Sequence, residues 1–276
     1  MQRKGRILEM GQTTPLTLND GDPLPVCRHC GEPLLEEKRR FSLPGDEYGT
    51  IVWRCHRREC EIKNDAELDR LYEESRQKQI EQERQAALDS FLADPIPVLA
   101  EIRVPPAYRH ASFDSYIGGD KYVDALRRYL QSPDKSILLT GTCGSGKTHL
   151  AVSLLRELHI RGHQRLLYRN VPELLFAIRA SFNGGEQSEW AIVEECTGAE
   201  YLLLDDLGAE KSTEYSIGVL YMIINHRLSH NLPTIVTSNL SLAQIESKLD
   251  ARIASRLSEY MVVVLRMPDY RKQRRA

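Results

Sequence analysis

The octapeptide GTCGSGKT at residues 141–148 restricts the possible folds of this chain more than any other feature of its sequence. It has the form G-x-x-x-x-G-K-T, with an apolar run, SILLTG (136–141), before it and a helical pattern after it. Such a loop lets backbone N–H groups close around phosphate oxygens at the positive end of a helix dipole. The pattern therefore predicts a phosphate-binding loop in an α/β domain.

The side chains of this loop are those that ATP and Mg²⁺ require. Lys147 is expected to reach the β- and γ-phosphates, and the Thr148 hydroxyl is expected to coordinate Mg²⁺. The rest of the predicted phosphate cradle consists of Gly141, Thr142, Cys143, Gly144, Ser145 and Gly146. A glycine-rich turn without a phosphate is the structural alternative, but the strand before the loop and the helix after it favour the nucleotide site.

Apolar runs alternate with helical segments through the C-terminal part of the chain. Continuous apolar runs are typical of strands buried on both faces, and their alternation with helices is typical of a parallel sheet covered on both sides. The predicted strands are 136–141, 164–170, 201–207, 233–239 and 260–267. The predicted fold class is an α/β P-loop domain with a parallel five-stranded sheet.

Polar residues end two of these strands. Asp205 is expected to hold Mg²⁺ through water, and Asp206 is expected to orient or deprotonate the attacking water. Many ATPases of this kind carry Glu in place of Asp206, and the shorter side chain predicts slow or partner-stimulated hydrolysis. Asn239 is expected to hydrogen-bond the γ-phosphate or the attacking water, because neighbouring parallel strands end at one edge. A turn-forming Asn is the alternative.

Three arginines are candidates for phosphate contacts. Arg252 and Arg256 lie four residues apart on a predicted helix and therefore share one face. An arginine donated to another subunit's ATP would stabilise charge that develops on the γ-phosphate, and Arg256 is the preferred candidate. The alternative is that both are surface arginines paired with Asp250 and Glu259. Arg271 is a candidate for a further phosphate contact, or simply part of a basic tail.

Four of the six cysteines lie in one N-terminal stretch, as a C-x2-C pair followed by a C-x4-C pair. The four cysteines are Cys27, Cys30, Cys55 and Cys60. Two such pairs suit a tetrahedral Zn²⁺ ribbon, and a segment this small needs metal to supply its folding energy. Because the second spacing is wider than usual, His29 or His56 could replace one thiolate. Structural cysteines without metal are the alternative.

Composition shifts predict four segments. Residues 1–25 are polar and are expected to be flexible, and residues 26–64 form the zinc-binding domain. Residues 65–94 form a mostly polar connector helix, which either binds a partner or is a solvated linker. Prolines in DPIPVLAEIRVPP (94–106) interrupt helix, so the ATPase domain is expected to cover 95–276.

Charge and hydropathy exclude some classes of protein. The formal net charge is -2, so no overall basic field indicates a nucleic-acid binder. The chain has no run of 18 apolar residues and no apolar secretion signal, so no membrane association is predicted and the expected location is cytoplasmic.

At this point the motifs resemble a known family. GTCGSGKTHLA, LLLDDLGAE, LPTIVTSNLS and the RIASRL segment resemble the DnaC/DnaI family of replicative helicase loaders, which are AAA+ ATPases. VPPAYRHASFDSY is similar to the segment that leads into that family's ATPase core, so the resemblance covers about residues 100–271. IstB-type transposition ATPases share most of these motifs, and DnaA-type initiators are more distant. The short stretch after the fifth predicted strand predicts no helical lid.

The resemblance implies a division of labour. The N-terminal zinc domain and helix would bind a hexameric replicative helicase. The AAA+ domains would bind ATP and single-stranded DNA and would self-associate, with Arg256 completing a neighbour's ATP site. Hydrolysis would permit release of the loader.

Two other functions stay open on the sequence. One is an IstB-type ATPase that acts with a transposase. The other is a nucleotide-switched adaptor that hydrolyses little ATP and works through its zinc domain, which the Asp at position 206 keeps open.

Overall fold

The computed structural model of the chain describes residues 3–6, 15–18, 27, 29–32, 35–43, 46–54, 58–181, 188–209 and 213–273. Side chains are described at residues 27, 29–32, 70, 72–181, 188–209, 213–270 and 272. The chain divides into two compact units, Met1–Glu83 and Arg84–Ala276. Within the described ranges, no helix is both long and apolar enough to span a lipid bilayer.

Two antiparallel strand pairs and the first part of a long helix belong to the N-terminal unit. β1 (Arg3–Arg6) pairs with β2 (Pro15–Leu18), and β3 (Leu35–Leu43) pairs with β4 (Asp46–Arg54). The sequence predicts residues 1–25 to be flexible, whereas β1 and β2 lie in this range and pair. Backbone hydrogen bonds can join extended segments that lack long apolar runs, which is why the composition did not indicate these strands.

A single helix, α1 (Arg58–Ala93), accounts for the predicted polar connector. It begins at Arg58 rather than near residue 65, and the side chains from residue 72 to residue 87 are all exposed. Its polar pairs follow i,i+3 or i,i+4 spacing, as in the 3.0 Å hydrogen bond from Gln79 to Glu83. Local pairs of this kind support a helix whose surface is not buried in a core.

The C-terminal unit consists of one sheet with helices on both faces. Its helices are α2 (Ile96–Glu101), α3 (Asp120–Tyr129), α4 (Lys147–Ile160), α5 (Val171–Ser181), α6 (Glu189–Gly198), α7 (Glu214–Ser229), α8 (Leu242–Lys248), α9 (Ala251–Leu257) and α10 (Tyr270–Gln273). Its strands are β5 (Ile137–Gly141), β6 (Leu166–Asn170), β7 (Tyr201–Leu207), β8 (Thr234–Ser238) and β9 (Met261–Leu265). The order across the sheet is β6-β7-β8-β5-β9, and every pairing is parallel.

Apolar side chains on both faces of each central strand hold this sheet between its helices. On β5, Ile137 and Leu139 pack with α3 and α4 in one core, whereas Leu138 packs with α5 to α9 in the other. All three side chains are fully buried. The predicted parallel five-stranded α/β domain is therefore confirmed, with strand ends within a few residues of the predicted ones.

The division between the two units lies earlier than the predicted boundary at 94–106. Phe91, Leu99 and Val104 are buried in the core of the C-terminal unit, so the chain already belongs to that unit before the prolines. The prolines do not prevent α2, because they lie at its first positions, where a missing N–H breaks no helical bond. α2 and α3 were not predicted from the sequence.

Candidate active site

The phosphate loop connects β5 to α4 and takes a backbone conformation that needs glycine. Gly146 is the N-cap of α4 with φ 86°, and a Cβ there would lie 2.6 Å from Cε2 of the Tyr116 ring. At Gly144, φ is 73° and a Cβ would lie 1.8 Å from an Asp269 carboxylate oxygen. Side chains are thus excluded at two positions where the backbone itself is wanted for phosphate.

Lys147 opens α4 and is almost completely buried, with 5% of its surface exposed. Its ammonium donates hydrogen bonds to the backbone carbonyls of Gly141 (3.0 Å) and Thr142 (2.8 Å). These bonds hold the Lys147 cation inside the loop. Ser145 Oγ is also buried in this loop, and it has no hydrogen-bond partner in the described part of the chain. A buried hydroxyl and a cation within one glycine-rich loop fit a phosphate.

Asp205 lies near the carboxyl end of β7 and is held by three hydroxyl groups. Thr148 and Thr237 donate to its Oδ1 at 2.9 and 2.7 Å, and Tyr168 donates to its Oδ2 at 2.8 Å. Only 2% of Asp205 is exposed. Burial, and next the charge of Asp205, raise the pKa of Tyr168 far above its usual value, so this phenol remains a donor.

Oxygen ligands of this kind suit Mg²⁺. The Thr148 hydroxyl on α4 and the Asp205 carboxylate on β7 lie 2.9 Å from each other. Mg²⁺ prefers such hard oxygen donors and keeps several of its waters. The pair therefore fits the metal that the sequence predicts here.

Asp206 takes a left-handed backbone conformation, with φ 60°. The pairing of β7 with β8 shifts register between Leu204 and Leu207, so Asp206 lies in a bulge of the strand. Its backbone N–H donates to Thr237 Oγ1 at 2.9 Å, which holds this bulge in place. Backbone strain of about 1–3 kcal/mol at a non-glycine residue is a feature of functional sites.

A cavity of about 470 Å³ lies in front of the loop, within the usual range for small-molecule sites. Asp206 and Asn239 line it together with Lys147 and Thr148. The structure thus brings together the predicted carboxylate, amide, cation and hydroxyl. The other side chains around the cavity are mainly rings and apolar groups, including Tyr108, Tyr116, Ile117, Met267, Pro268 and Tyr270.

Two segments outside the sheet brace the phosphate loop. In the segment between α2 and α3, the Tyr116 hydroxyl donates to the Ser145 carbonyl at 3.1 Å, and burial raises the pKa of Tyr116 to about 12. From the segment after β9, the Tyr270 N–H donates to the Gly144 carbonyl at 3.1 Å. The Thr142 hydroxyl donates to the Met267 carbonyl at 3.1 Å. The loop is therefore anchored on both sides.

The predicted arginines lie elsewhere in the unit. Arg252 forms an ion pair with Asp250, with Nε 3.2 Å from Oδ1, whereas Arg256 donates to the side-chain oxygen of Asn225 at 2.8 Å. Both guanidinium groups lie over the Tyr221 ring, at 5.0 and 6.0 Å from its centre. Among the residues that the structure describes, neither arginine lines the cavity of its own chain. Arg271 belongs to α10, and its side chain lies outside the described ones.

The first cysteine pair adopts a tight turn. The Gly31 N–H donates to the Cys27 carbonyl, and the Cys27 N–H donates to the Glu32 carbonyl, both at 2.7 Å. Gly31 has φ 74°, which makes this turn possible. No cluster of three metal-binding side chains occurs among the described residues. The side chains of Cys55 and Cys60 lie outside that set, so the zinc ribbon stays a prediction.

Three residues around the site were missed by sequence reasoning. Thr237 stands beside the predicted Asn239 in the strand-end sequence TSN, and its position there was a usable signal. Tyr168 and Tyr116 resemble ordinary core tyrosines in the sequence, so no local pattern distinguished them.

A phosphate loop after β5, acids at the end of β7 and the strand order β6-β7-β8-β5-β9 define the fold as that of an AAA+ P-loop ATPase. The family model described as IstB-like ATP binding protein matches residues 120–274, and the chain belongs to this family.

Two relatives of known function are replicative helicase loaders. The chain is 25% identical to the replicative helicase loader DnaC of Escherichia coli (strain K12) over 179 residues, which cover 62% of this chain and 73% of that protein. It is 26% identical to DnaC of Buchnera aphidicola subsp. Acyrthosiphon pisum (strain APS) over 168 residues, 58% of this chain and 68% of that protein. The predicted resemblance to the DnaC/DnaI loaders is confirmed.

Solved structures agree with this assignment. A crystal structure of DnaI is 28% identical, with a TM-score of 0.52, and the match covers 60% of this chain and 95% of that one. A crystal structure of the DnaC helicase loader has a TM-score of 0.52 at 23% identity, covering 59% of this chain and 100% of that one. At that identity, the second match shows the fold alone.

Proposed function

We propose that this chain is an ATP-dependent loader of a replicative DNA helicase. The observation that carries the proposal is the arrangement of Lys147, Thr148 and Asp205 at one edge of the sheet, in a chain similar to helicase loaders. The arrangement supports ATP as the energy source. The similarity to DnaC supports a replicative helicase as the partner.

The residues of the phosphate loop bind and orient ATP. Lys147 turns from its loop carbonyls to the β- and γ-phosphates, and backbone N–H groups of residues 144–148 take the phosphate oxygens. Thr148 and Asp205 are the residues that would hold Mg²⁺, which neutralises charge on the phosphates when it is bound. The residues that brace the loop keep this cradle in position before nucleotide arrives.

Asp206 and Asn239 act at the point where water attacks the γ-phosphate. Both line the cavity beside Lys147, which supports their placement near the γ-phosphate. Asp206 accepts the proton of the water or orients it, and the Asn239 amide donates to a γ-phosphate oxygen. The carboxylate of Asp206 is one methylene shorter than that of Glu, so we expect slow hydrolysis that a partner or DNA stimulates.

Arg256 completes the ATP site of a neighbouring copy. Arg252 is held by the carboxylate of Asp250, whereas Arg256 is bonded to a neutral amide and so keeps its charge available. A guanidinium that approaches from another subunit would stabilise the charge that develops on the γ-phosphate. This role requires self-association of the chain through its ATP sites.

The N-terminal unit is proposed to bind the helicase. Cys27 and Cys30, in their tight turn, supply two of the four Zn²⁺ ligands, and Cys55 and Cys60 supply the others. The AAA+ unit is proposed to contact single-stranded DNA as well as ATP. Loading would thus require both units, because the N-terminal unit would bind the helicase and the AAA+ unit would bind ATP.

A second candidate function is supported by the family match. The family model describes an IstB-like ATP binding protein, so an ATPase that acts with a transposase is the alternative. The ATP site would serve both functions equally, and only the partner distinguishes them.

The decisive experiment is co-purification of the full chain with candidate partners in the presence of ATP and Mg²⁺. The partners are the hexameric replicative helicase of the same organism and any transposase encoded beside the chain. Binding of the helicase, weakened in Cys27→Ser, would establish the loader. Binding of the transposase without the helicase would establish the alternative.

A second measurement addresses the adaptor function that the Asp at position 206 leaves open. ATP turnover is followed for the full chain alone, with single-stranded DNA, and with the helicase. A stimulated rate supports the loader. Nucleotide binding without turnover under all three conditions would show that the chain is a nucleotide-switched adaptor.

A further inference from the structure

We infer that Tyr168 is a positioning residue for the metal-binding carboxylate of Asp205, and that it sets how strongly Mg²⁺ promotes nucleotide binding. The inference rests on the proposed ATP site and identifies a residue that controls it. Tyr168 belongs to β6, at the edge of the sheet, and 3% of its surface is exposed. Its hydroxyl donates at 2.8 Å to Oδ2 of Asp205, which belongs to the neighbouring strand β7.

The contact depends on the register of the two strands. Tyr168 pairs with Leu203 and Asn170 pairs with Asp205, so a diagonal separates the tyrosine from the carboxylate. Every second residue of a strand points to the same face of the sheet, so Leu203 and Asp205 share one face. Tyr168 pairs with Leu203 and lies on this face too, which α4 covers. A long aromatic side chain spans this diagonal, which a shorter hydroxyl side chain would not.

The two other hydroxyl groups that donate to Asp205 each have a second role at the site. Thr148 donates to Asp205 Oδ1, but the same hydroxyl is the expected metal ligand. Thr237 donates to Oδ1 as well, but it also accepts the Asp206 N–H. Tyr168 instead donates to the other carboxylate oxygen, Oδ2, and this contact leaves Oδ1 directed at Thr148. The phenol therefore decides which carboxylate oxygen faces the loop.

The backbone of Tyr168 is itself anchored. Its N–H donates to the Ile102 carbonyl at 2.9 Å, although β6 is an edge strand. The next residue, Arg169, shares the carboxylate of Glu195 with Arg103, whose Nε lies 3.0 Å from it. The end of β6 is therefore tied to the segment that follows α2. A residue held this firmly can orient a neighbouring carboxylate without moving itself.

The test compares Tyr168→Phe with Tyr129→Phe as a matched control. Tyr129 is also buried in this core, but its hydroxyl donates to the backbone carbonyls of Pro133 and Lys135 instead of a carboxylate. The affinity for a fluorescent ATP analogue is measured in full-length protein, first with chelator and then with increasing Mg²⁺. Thermal unfolding is measured on the same samples.

The expected result distinguishes a change in the position of the Asp205 carboxylate from a change in the stability of the fold. In Tyr168→Phe, affinity without metal stays at the wild-type value, while the Mg²⁺ concentration for half-maximal effect rises roughly 10-fold, as for other partners of metal ligands. Tyr129→Phe lowers the unfolding temperature but keeps the wild-type Mg²⁺ dependence. Equal Mg²⁺ dependence in both variants and wild type would overturn the inference.

Two further outcomes are informative. If wild type binds the analogue equally well with chelator and with Mg²⁺, the proposed ATP–Mg²⁺ site itself fails, and the inference falls with it. If Tyr168→Phe does not fold, Thr237→Ser is compared with Thr237→Val, which removes another of the three hydroxyl groups that hold Asp205. An unchanged Mg²⁺ dependence in Thr237→Val would then show that hydroxyl contacts do not position this carboxylate.

Discussion

The Thr237 hydroxyl donates a 2.7 Å hydrogen bond to the Asp205 carboxylate and thereby couples β8 to the predicted metal ligand on β7. The same oxygen accepts the backbone N–H of Asp206 at 2.9 Å. One side chain thus holds both acids of the site, the first through its carboxylate and the second through its strained backbone.

We therefore expect Thr237→Val to impair hydrolysis more than nucleotide binding. The change leaves a buried carboxylate oxygen and a buried N–H without their shared partner, and the expected fall in kcat is roughly 10- to 100-fold, or about 1.4–2.7 kcal/mol in the barrier. Steady-state ATPase and equilibrium nucleotide binding measure the two effects. Thr237→Ser keeps the hydroxyl and serves as control; equal losses in both variants would contradict this role.

Lys147→Ala should abolish productive ATP binding. The phosphate loop then lacks the cation that its two carbonyls hold in place, and activity is expected to fall by roughly 10²–10³-fold. Lys248→Ala on the exposed surface of α8 is the control, and ATP turnover is the measurement. Near-normal turnover in Lys147→Ala would show that the site is elsewhere.

A mixing experiment tests whether Arg256 acts between subunits. Arg256→Ala and Lys147→Ala should each be inactive alone. If they assemble together, the Lys147→Ala chain supplies Arg256 to the intact phosphate loop of the other chain, and ATPase activity returns. Arg252→Ala in place of Arg256→Ala is the comparison, because Arg252 is occupied by Asp250. Activity in Arg256→Ala alone would assign Arg256 a structural role through Asn225.

Metal analysis tests the zinc ribbon directly. Purified protein is expected to contain one Zn²⁺ per chain, and Cys27→Ser is expected to lose it, because three ligands hold the metal far less tightly than four. Cys143→Ser, which changes a cysteine outside the cluster, should retain the zinc. Zinc well below one equivalent in the wild-type protein would rule out the ribbon.

Asp250 predicts a pH dependence of stability. It is the N-cap of α9 and accepts from the N–H groups of Arg252 (2.7 Å) and Ile253 (3.2 Å). The Arg252 side chain is the main cause of the lowered pKa of the Asp250 carboxyl. Because the folded pKa lies below the unfolded one, Asp250 adds stability above its ordinary pKa, and this contribution is lost as the pH falls through the folded value.

The matching variant is Asp250→Asn, which keeps an oxygen for the cap but removes the charge. At neutral pH we expect it to be less stable than wild type by under about 1 kcal/mol, since the pair is partly screened by solvent. Urea unfolding at decreasing pH should show this difference vanish. Asp124→Asn, on the exposed side of α3, is the control for the same substitution at another surface position. A difference that grows in acid would contradict the sign.

Sequence alone determined the class of this protein because its decisive signals are local. The loop from Gly141 to Thr148, the acids after LLL and the alternation of apolar strands with helices each occupy a short stretch of chain, and backbone geometry translates them directly into structure. Even Asn239 could be placed beside the phosphate loop, since parallel strands end at one edge of the sheet.

Only the tertiary structure decided how the acids are held and where the domain begins. Tyr168 and Thr237 meet Asp205 from two different strands, Asp206 owes its direction to a bulge, and Phe91 joins the core before the prolines. These contacts join residues far apart in the chain. Which buried hydroxyl meets which carboxylate depends on strand register and packing between elements, and no local pattern of residues carries that information.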